Sequence, residues 1–265
     1  MNIGISNIAW NPDENIKVYK LMNKYNIPFL EIAPTKIFGS EPYIAPSNDI
    51  SNFLNELSFY SLKISSLQSL LYGKNTYKVF GATSQETLNY LKKSIDLSQQ
   101  LYSPVLIFGS PKNRSYESNS TYLDEATTFF SSIGDYASNK CCKFCIEVNP
   151  PCYGTNFLTS QNEQLNFLST LNNKGLGLHI DLGSMLLNNE DFETIYPFIS
   201  YIDHIHLSLP YLEQITRNNI KLFSPLVPIL KGYSNCLSIE MKTDPNISSL
   251  NSIEETLYHT SLLFE

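Results

Sequence analysis

The sequence predicts a (β/α)8 barrel, and three observations lead there. Eight short runs rich in Ile, Val, Leu and Phe recur along the chain, most of them closing on Gly, Pro, Ser or Asn. Stretches with helical period separate them. At 265 residues the repeat is about 33 residues per unit, which suits parallel strands closed into a barrel by right-handed crossovers. The alternative is an open doubly wound sheet. That architecture usually carries a Gly-rich phosphate fingerprint after its first strand, and none is present.

Taken in order, the strand-like runs fall at 3–10, 29–34, 63–70, 104–110, 143–150, 176–183, 202–209 and 236–242. After the first, Val18, Leu21, Met22 and Tyr25 recur at helical spacing; after the second, Ile50, Phe53, Leu54 and Leu57 do the same. Thr83 with Glu86, and Ser160 with Glu163, have capping-box spacing at the start of two later helices. Pro225 follows Ser224 as a proline at the first helical position would. The final stretch, 248–265, is again helix-like. No linker, low-complexity tract or charge block interrupts the pattern, so residues 1–265 read as one domain.

Composition narrows the function classes. Hydrophobic residues make up 42% and charged residues 16%, which marks a folded globular protein and not a disordered one. A net charge of −7 argues against nucleic-acid partners, which need a basic face. No run approaches a membrane span, and the N-terminus lacks the basic and apolar regions of a signal peptide, so a cytoplasmic protein is expected. Five cysteines, an odd number, read as reduced thiols. Cys142 and Cys145 have C-x-x-C spacing without a second pair, and Cys145 lies in a strand, so packing is expected there and not zinc. The sequence gives no direct signal of oligomeric state and leaves a homo-oligomer open.

Barrel active sites lie at the C-terminal strand ends. The polar residues late in strands five to eight are Glu147, Asp181, His206 and Glu240, each flanked by apolar neighbours that point the other way. Three carboxylates at one height repel one another and cannot all stay ionised alone. A divalent cation resolves the conflict. Carboxylates with one imidazole suit Mn2+ first, with Mg2+, Co2+ or Zn2+ as alternatives. Four protein ligands leave two positions for water or substrate oxygens.

Other strand-end residues are candidates for substrate binding. Glu31 ends strand two, where it has a substrate hydroxyl, a supporting contact or a salt bridge as alternatives. Gln68 ends strand three. Lys112 and Arg114 follow strand four and suit a phosphate or carboxylate. Asn149 and Lys242 lie two residues beyond Glu147 and Glu240, where they can orient a ligand or neutralise an oxyanion. His179 and His204 share the parity of Asp181 and His206 one layer deeper and are expected to be core or supporting histidines. Trp10 is expected in the core, with sugar stacking as the alternative.

The runs CIEVNPP, LHIDLGSM, HIHLS and LSIEMK resemble the strand-end motifs of the xylose-isomerase-like barrels, a family of sugar isomerases and epimerases, sugar-acid dehydratases and AP endonucleases. SLQSLLYG, LIFGSPKNR and NPPCYGTNFLTS resemble its sugar phosphate isomerase/epimerase subgroup. The resemblance covers most of the chain, and the intervals of 34, 25 and 34 residues between the four site residues are close to the family's. It implies metal ligation by Glu147, Asp181, His206 and Glu240, with Glu147 and Glu240 also exchanging protons with substrate carbon. The expected activity is a divalent-metal-dependent isomerase or epimerase of a sugar, sugar phosphate or related polyhydroxy carbonyl compound. The first alternative is a sugar-acid or dehydroshikimate-type dehydratase on the same site; the second is a non-catalytic metabolite-binding barrel. Two departures stand out: Ser184 occupies the place of a frequent histidine, and Leu212 that of the epimerases' arginine. AP endonucleases need further histidine ligands, yet Gln68 and Ser184 stand at the matching places and only four histidines exist.

Overall fold

A computed structural model of the chain describes residues 1–117, 121–243 and 249–264. Eight parallel strands close into one barrel in sequence order. They are β1 Asn2–Ser6, β2 Phe29–Ile32, β3 Lys63–Leu67, β4 Val105–Phe108, β5 Lys143–Ile146, β6 Leu176–Asp181, β7 Ile202–Ser208 and β8 Cys236–Glu240. Seven lie within an expected run, β1 begins one residue before its run, and each ends before its run does. The difference lies at the exits, where the chains leave the sheet for 3-10 turns such as Asn7–Ala9 and Pro111–Asn113. Those turns carry the residues that face the mouth.

The helices are α1 Asn15–Lys24, α2 Thr35–Phe38, α3 Ser47–Phe59, α4 Ser84–Gln100, α5 Tyr122–Asn139, α6 Gln161–Leu171, α7 Leu182–Leu187, α8 Leu226–Ile229 and α9 Ser249–Phe264. The helical spacing read from sequence buries Val18 and Met22 in α1, and Ile50, Phe53 and Leu57 in α3. Residues 248 and 265, the ends of the expected last helix, lie outside the described residues. After β6 and β7 the long crossover helix gives way to short pieces. One is a 3-10 stretch, Phe192–Tyr201, that contains Pro197, where a proline cannot donate to a helical ladder.

Two of the expected helix starts differ in detail. Thr83 sits at the N-cap of α4, but its hydroxyl accepts from Lys78 N and donates to the Thr76 carbonyl, so no capping box forms. Pro225 occupies the N-cap of α8, one place earlier than expected. Ser160 does cap α6, accepting from Glu163 N at 3.3 Å.

Two apolar regions stabilise the barrel. The larger is a continuous sleeve between strands and helices, with Phe108, Phe130, Phe144 and Leu178 among its members. Inside the barrel the apolar part is small: Val105, Ile107 and Cys145 form their own cluster. The other buried side chains there include Glu31, Ser66, His179, His204, His206 and Ser238. Barrels of this kind usually fill that space with branched aliphatic layers. Here a polar network replaces them, and buried polar groups are costly without partners. Cys145 is fully buried and burial pushes its thiol well up, whereas Cys142 hydrogen-bonds toward the Ser103 carbonyl; neither is paired as a zinc site.

Candidate metal centre at the strand ends

His206 is the hub of the network. The register places it beside Asp181 of β6 and Ser238 of β8. Its Nδ1 faces three carboxylates: Glu147 Oε1 at 3.2 Å, Glu240 Oε2 at 3.2 Å and Asp181 Oδ2 at 3.7 Å. Its Nε2 faces the opposite way, 3.1 Å from Glu31 Oε2. Sequence reasoning proposed those four residues as one site, and the fold brings all four together.

Each carboxylate is held by its own element. Asp181 ends β6 and caps α7, accepting from Ser184 N at 2.6 Å and from Ser208 Oγ at 2.7 Å. Ser208 also accepts from Gly183 N at 2.9 Å, which ties β7 to the β6–α7 turn. Ser184 donates its hydroxyl to the Val148 carbonyl at 2.9 Å, so the residue at the family's histidine place braces Asp181 against the exit of β5. Glu147 leans over Gly109 at the end of β4. A Cβ at Gly109 would lie 2.0 Å from Glu147 Oε2, so any side chain there would shift the carboxylate from this position.

Three of the expected substrate-binding residues, Glu31, Arg114 and Lys112, do not line the mouth. Glu31 has no exposed surface, because it lies beneath the site. It accepts from Ser66 Oγ at 2.7 Å and Gln68 Nε2 at 2.9 Å, and faces His204 Nε2 at 3.3 Å as well as His206. Its Oε2 lies 3.1 Å from His206 Nε2 and so fixes the orientation of that ring. Arg114 is also fully buried. It donates from Nη2 to the Glu147 carbonyl at 2.6 Å, while Nε and Nη1 find no partner among the described residues. Its guanidinium fixes the backbone of Glu147 and does not reach the mouth. Lys112 is exposed and stands outside the lining of the mouth.

Gln68, Asn149 and Lys242 do line the mouth. A cavity of about 680 Å3 and an adjoining lobe of about 440 Å3 share Glu147, Leu212, Glu240 and Lys242 in their walls. Gln68 is held by Ser6 and Glu31 on the floor of the first, and Asn149 lines the second. Lys36 lines the first as well, its ammonium bound by the carbonyls of Asn7, Ile8 and Trp10. Trp10 is core, donating from Nε1 to Asn15 Oδ1 at 2.8 Å. Lys36, Ser66, Gly109 and Ser208 were missed from sequence. Gly109 and Ser208 had a readable signal, since both sit at strand exits where the parity of Glu147 and His206 continues.

The electrostatics follow from burial and opposed charges. Burial works against a charged His206, yet Glu240 and Glu31, helped by bonds to Asp181 and Glu147, hold its ring well above the ordinary value. Burial pushes the Glu240 carboxyl up, and Glu147 and Asp181 add to this against the pull of His206, bringing it to about 7. Burial also opposes ionisation of Glu31, but the His206 and His204 rings and the Ser66 hydroxyl bring it down to about 2. Asp181 is lowered too, its burial outweighed by His206, Ser208 and Ser184. Burial holds His179 and His204 down, the latter at about 3, so both are neutral. The protonated His206 thus serves as the positive charge that the carboxylates require.

The closed barrel and the buried His/Glu/Asp cluster at its strand ends define the class. The chain belongs to the xylose isomerase-like TIM barrel family, whose model matches residues 21–260. Solved structures agree in fold. An L-ribulose 3-epimerase superposes with TM-score 0.79 at 13% identity, covering 100% of this chain and 95% of the other. A 3-keto-D-glucoside 4-epimerase from E. coli gives 0.76 at 11% identity, covering 98% and 99%. A probable 3-DHS dehydratase from Bacillus anthracis gives 0.72 at 12% identity, covering 98% and 99%. No curated protein matches the sequence. Among the described residues, no helix is long and apolar enough to cross a membrane.

Proposed function

We propose that this chain is a divalent-metal-dependent isomerase or epimerase of a sugar or sugar phosphate, with Glu147, Asp181, His206 and Glu240 as ligands. The observation that carries the reading is the meeting of three carboxylate oxygens with His206 Nδ1 within 3.7 Å. The donor set fits such an ion: three carboxylates and an imidazole suit Mn2+, and replacing the Nδ1 proton by a dication removes the carboxylate repulsion. Glu31 supports this by accepting a hydrogen bond from Nε2–H, which leaves Nδ1 to present its lone pair.

Glu147, Asp181, His206 and Glu240 would hold the ion, which would supply Lewis acidity to adjacent carbonyl and hydroxyl oxygens of a substrate. The protein does the remaining work. Glu147 and Glu240 remove and return the α-proton. Gln68, Asn149 and Lys242 bind hydroxyls or an oxyanion from the walls of the mouth. Leu212 contributes an apolar wall where the ketose epimerases have arginine. A dehydratase acting on a sugar acid or a dehydroshikimate-like substrate is the second reading. Lys242 favours it, as a cation in the cavity wall two residues from Glu240 suits a substrate carboxylate.

Proton exchange in D2O tests the reading. Phosphorylated and free ketoses are offered with Mn2+, and deuterium incorporation at the α-carbon is followed. Exchange should fall by about 10²- to 10⁴-fold in Glu147→Gln or Glu240→Gln. Retention in both variants sinks the acid/base assignment. Water loss from sugar acids, with no ketose exchange, selects the second reading.

A further inference from the structure

The barrel interior holds three histidines, of which the reading above uses one as a ligand. His179 lies on β6 two residues before Asp181, on the same inner face, and is fully buried. Neither of its ring nitrogens makes a hydrogen bond among the described residues; the backbone of His204 lies beside the ring without normal bonding geometry. His179 Nε2 is 3.9 Å from Glu147 Oε1, and the ring stands edge-on to His206 with centroids 4.4 Å apart. One ligand atom each from Glu147, His179, Asp181 and His206 lies within 4.8 Å of all the others. Around an ion with bonds of about 2.1 Å, cis ligands are about 3.0 Å apart and trans ligands about 4.2 Å. The His179–Glu147 separation falls inside that range. His204 differs, because its Nε2 is already taken up by Ser66 Oγ at 2.9 Å and Glu31 at 3.3 Å.

We infer that His179 is a further ligand of the same ion, giving the site two imidazoles. This rests on the metal reading above. It changes what Glu240 can do. Glu240 stands outside the mutually close set and joins it through its 3.2 Å approach to His206 Nδ1. With His179 bound, Glu240 can leave the ion to carry a proton, and four protein ligands still hold the metal. Two imidazoles also move the preference away from Mg2+ and toward Co2+ or Zn2+.

The test is X-ray absorption at the cobalt edge on the full chain loaded with Co2+, with binding followed by calorimetry. Two imidazoles are expected in the wild type. His179→Gln should show one, with affinity reduced at least about tenfold, as for loss of a ligand or its support. One imidazole in the wild type overturns the inference and leaves the metal reading standing; a buried water on the His179 ring gives this result. Unchanged count and affinity in His179→Gln overturn it equally. A wild type that takes up no cobalt overturns both. Should the variant fail to fold, the wild-type count still decides.

Discussion

Glu31 lies buried beneath the site and Gly109 lines its mouth, and the geometry of the proposed ligands depends on both. Replacing Glu31 with Gln keeps the shape but removes the charge that holds His206 Nε2 at 3.1 Å. Metal affinity should fall about 10- to 100-fold, measured by calorimetry, with little change in the folded structure. Gly109→Ala should act on Glu147 instead. The added methyl meets a flexible carboxylate end, so stability should stay near wild type while metal affinity and any proton exchange drop. Unfolding curves and calorimetry on one preparation separate the two effects. The four central residues were legible because a charged side chain inside an apolar strand leaves a visible mark. Their support was less legible. Glu31 showed its strand position but not its depth, and a buried Arg114 reads in sequence like any loop cation.

At the scale of elements, the turn after β6 depends on β7. Ser208 receives Gly183 N and donates to Asp181, joining the two exits. Ser208→Ala leaves a buried amide and a carboxylate oxygen short of partners, at a cost of about 1–3 kcal/mol. Denaturant unfolding should show that loss, with weakened metal binding because Asp181 is freed. The strand starts were legible from apolar runs, whereas the exits were not. The residues that follow Ser6 and Phe108 lead into 3-10 turns and not further sheet. The connections after β6 and β7 escaped sequence reading for a related reason. Phe192–Tyr201 is apolar enough for a helix, but Pro197 sits inside it and a tighter turn results.

For the whole molecule, barrel closure places the proposed ligands on strands that are neighbours in both sequence and space, β5 to β8. It also buries a proton-binding cluster. With His206 held well above its ordinary value and Glu240 at about 7, His206 favours its protonated form near neutrality and Glu240 is partly protonated in the metal-free protein. Binding an ion must release these protons. Affinity should therefore rise as pH rises and weaken as pH falls below about 7, the Glu240 value. The central claim is that Glu147, Asp181, His206 and Glu240 form one divalent-metal site, and a calorimetric Mn2+ titration tests it most directly. Run in buffers of different ionisation enthalpy, it should give one ion per chain, net proton release, and loss of binding in Asp181→Asn. A chain that binds no Mn2+, or binds it equally well in Asp181→Asn, would contradict the claim.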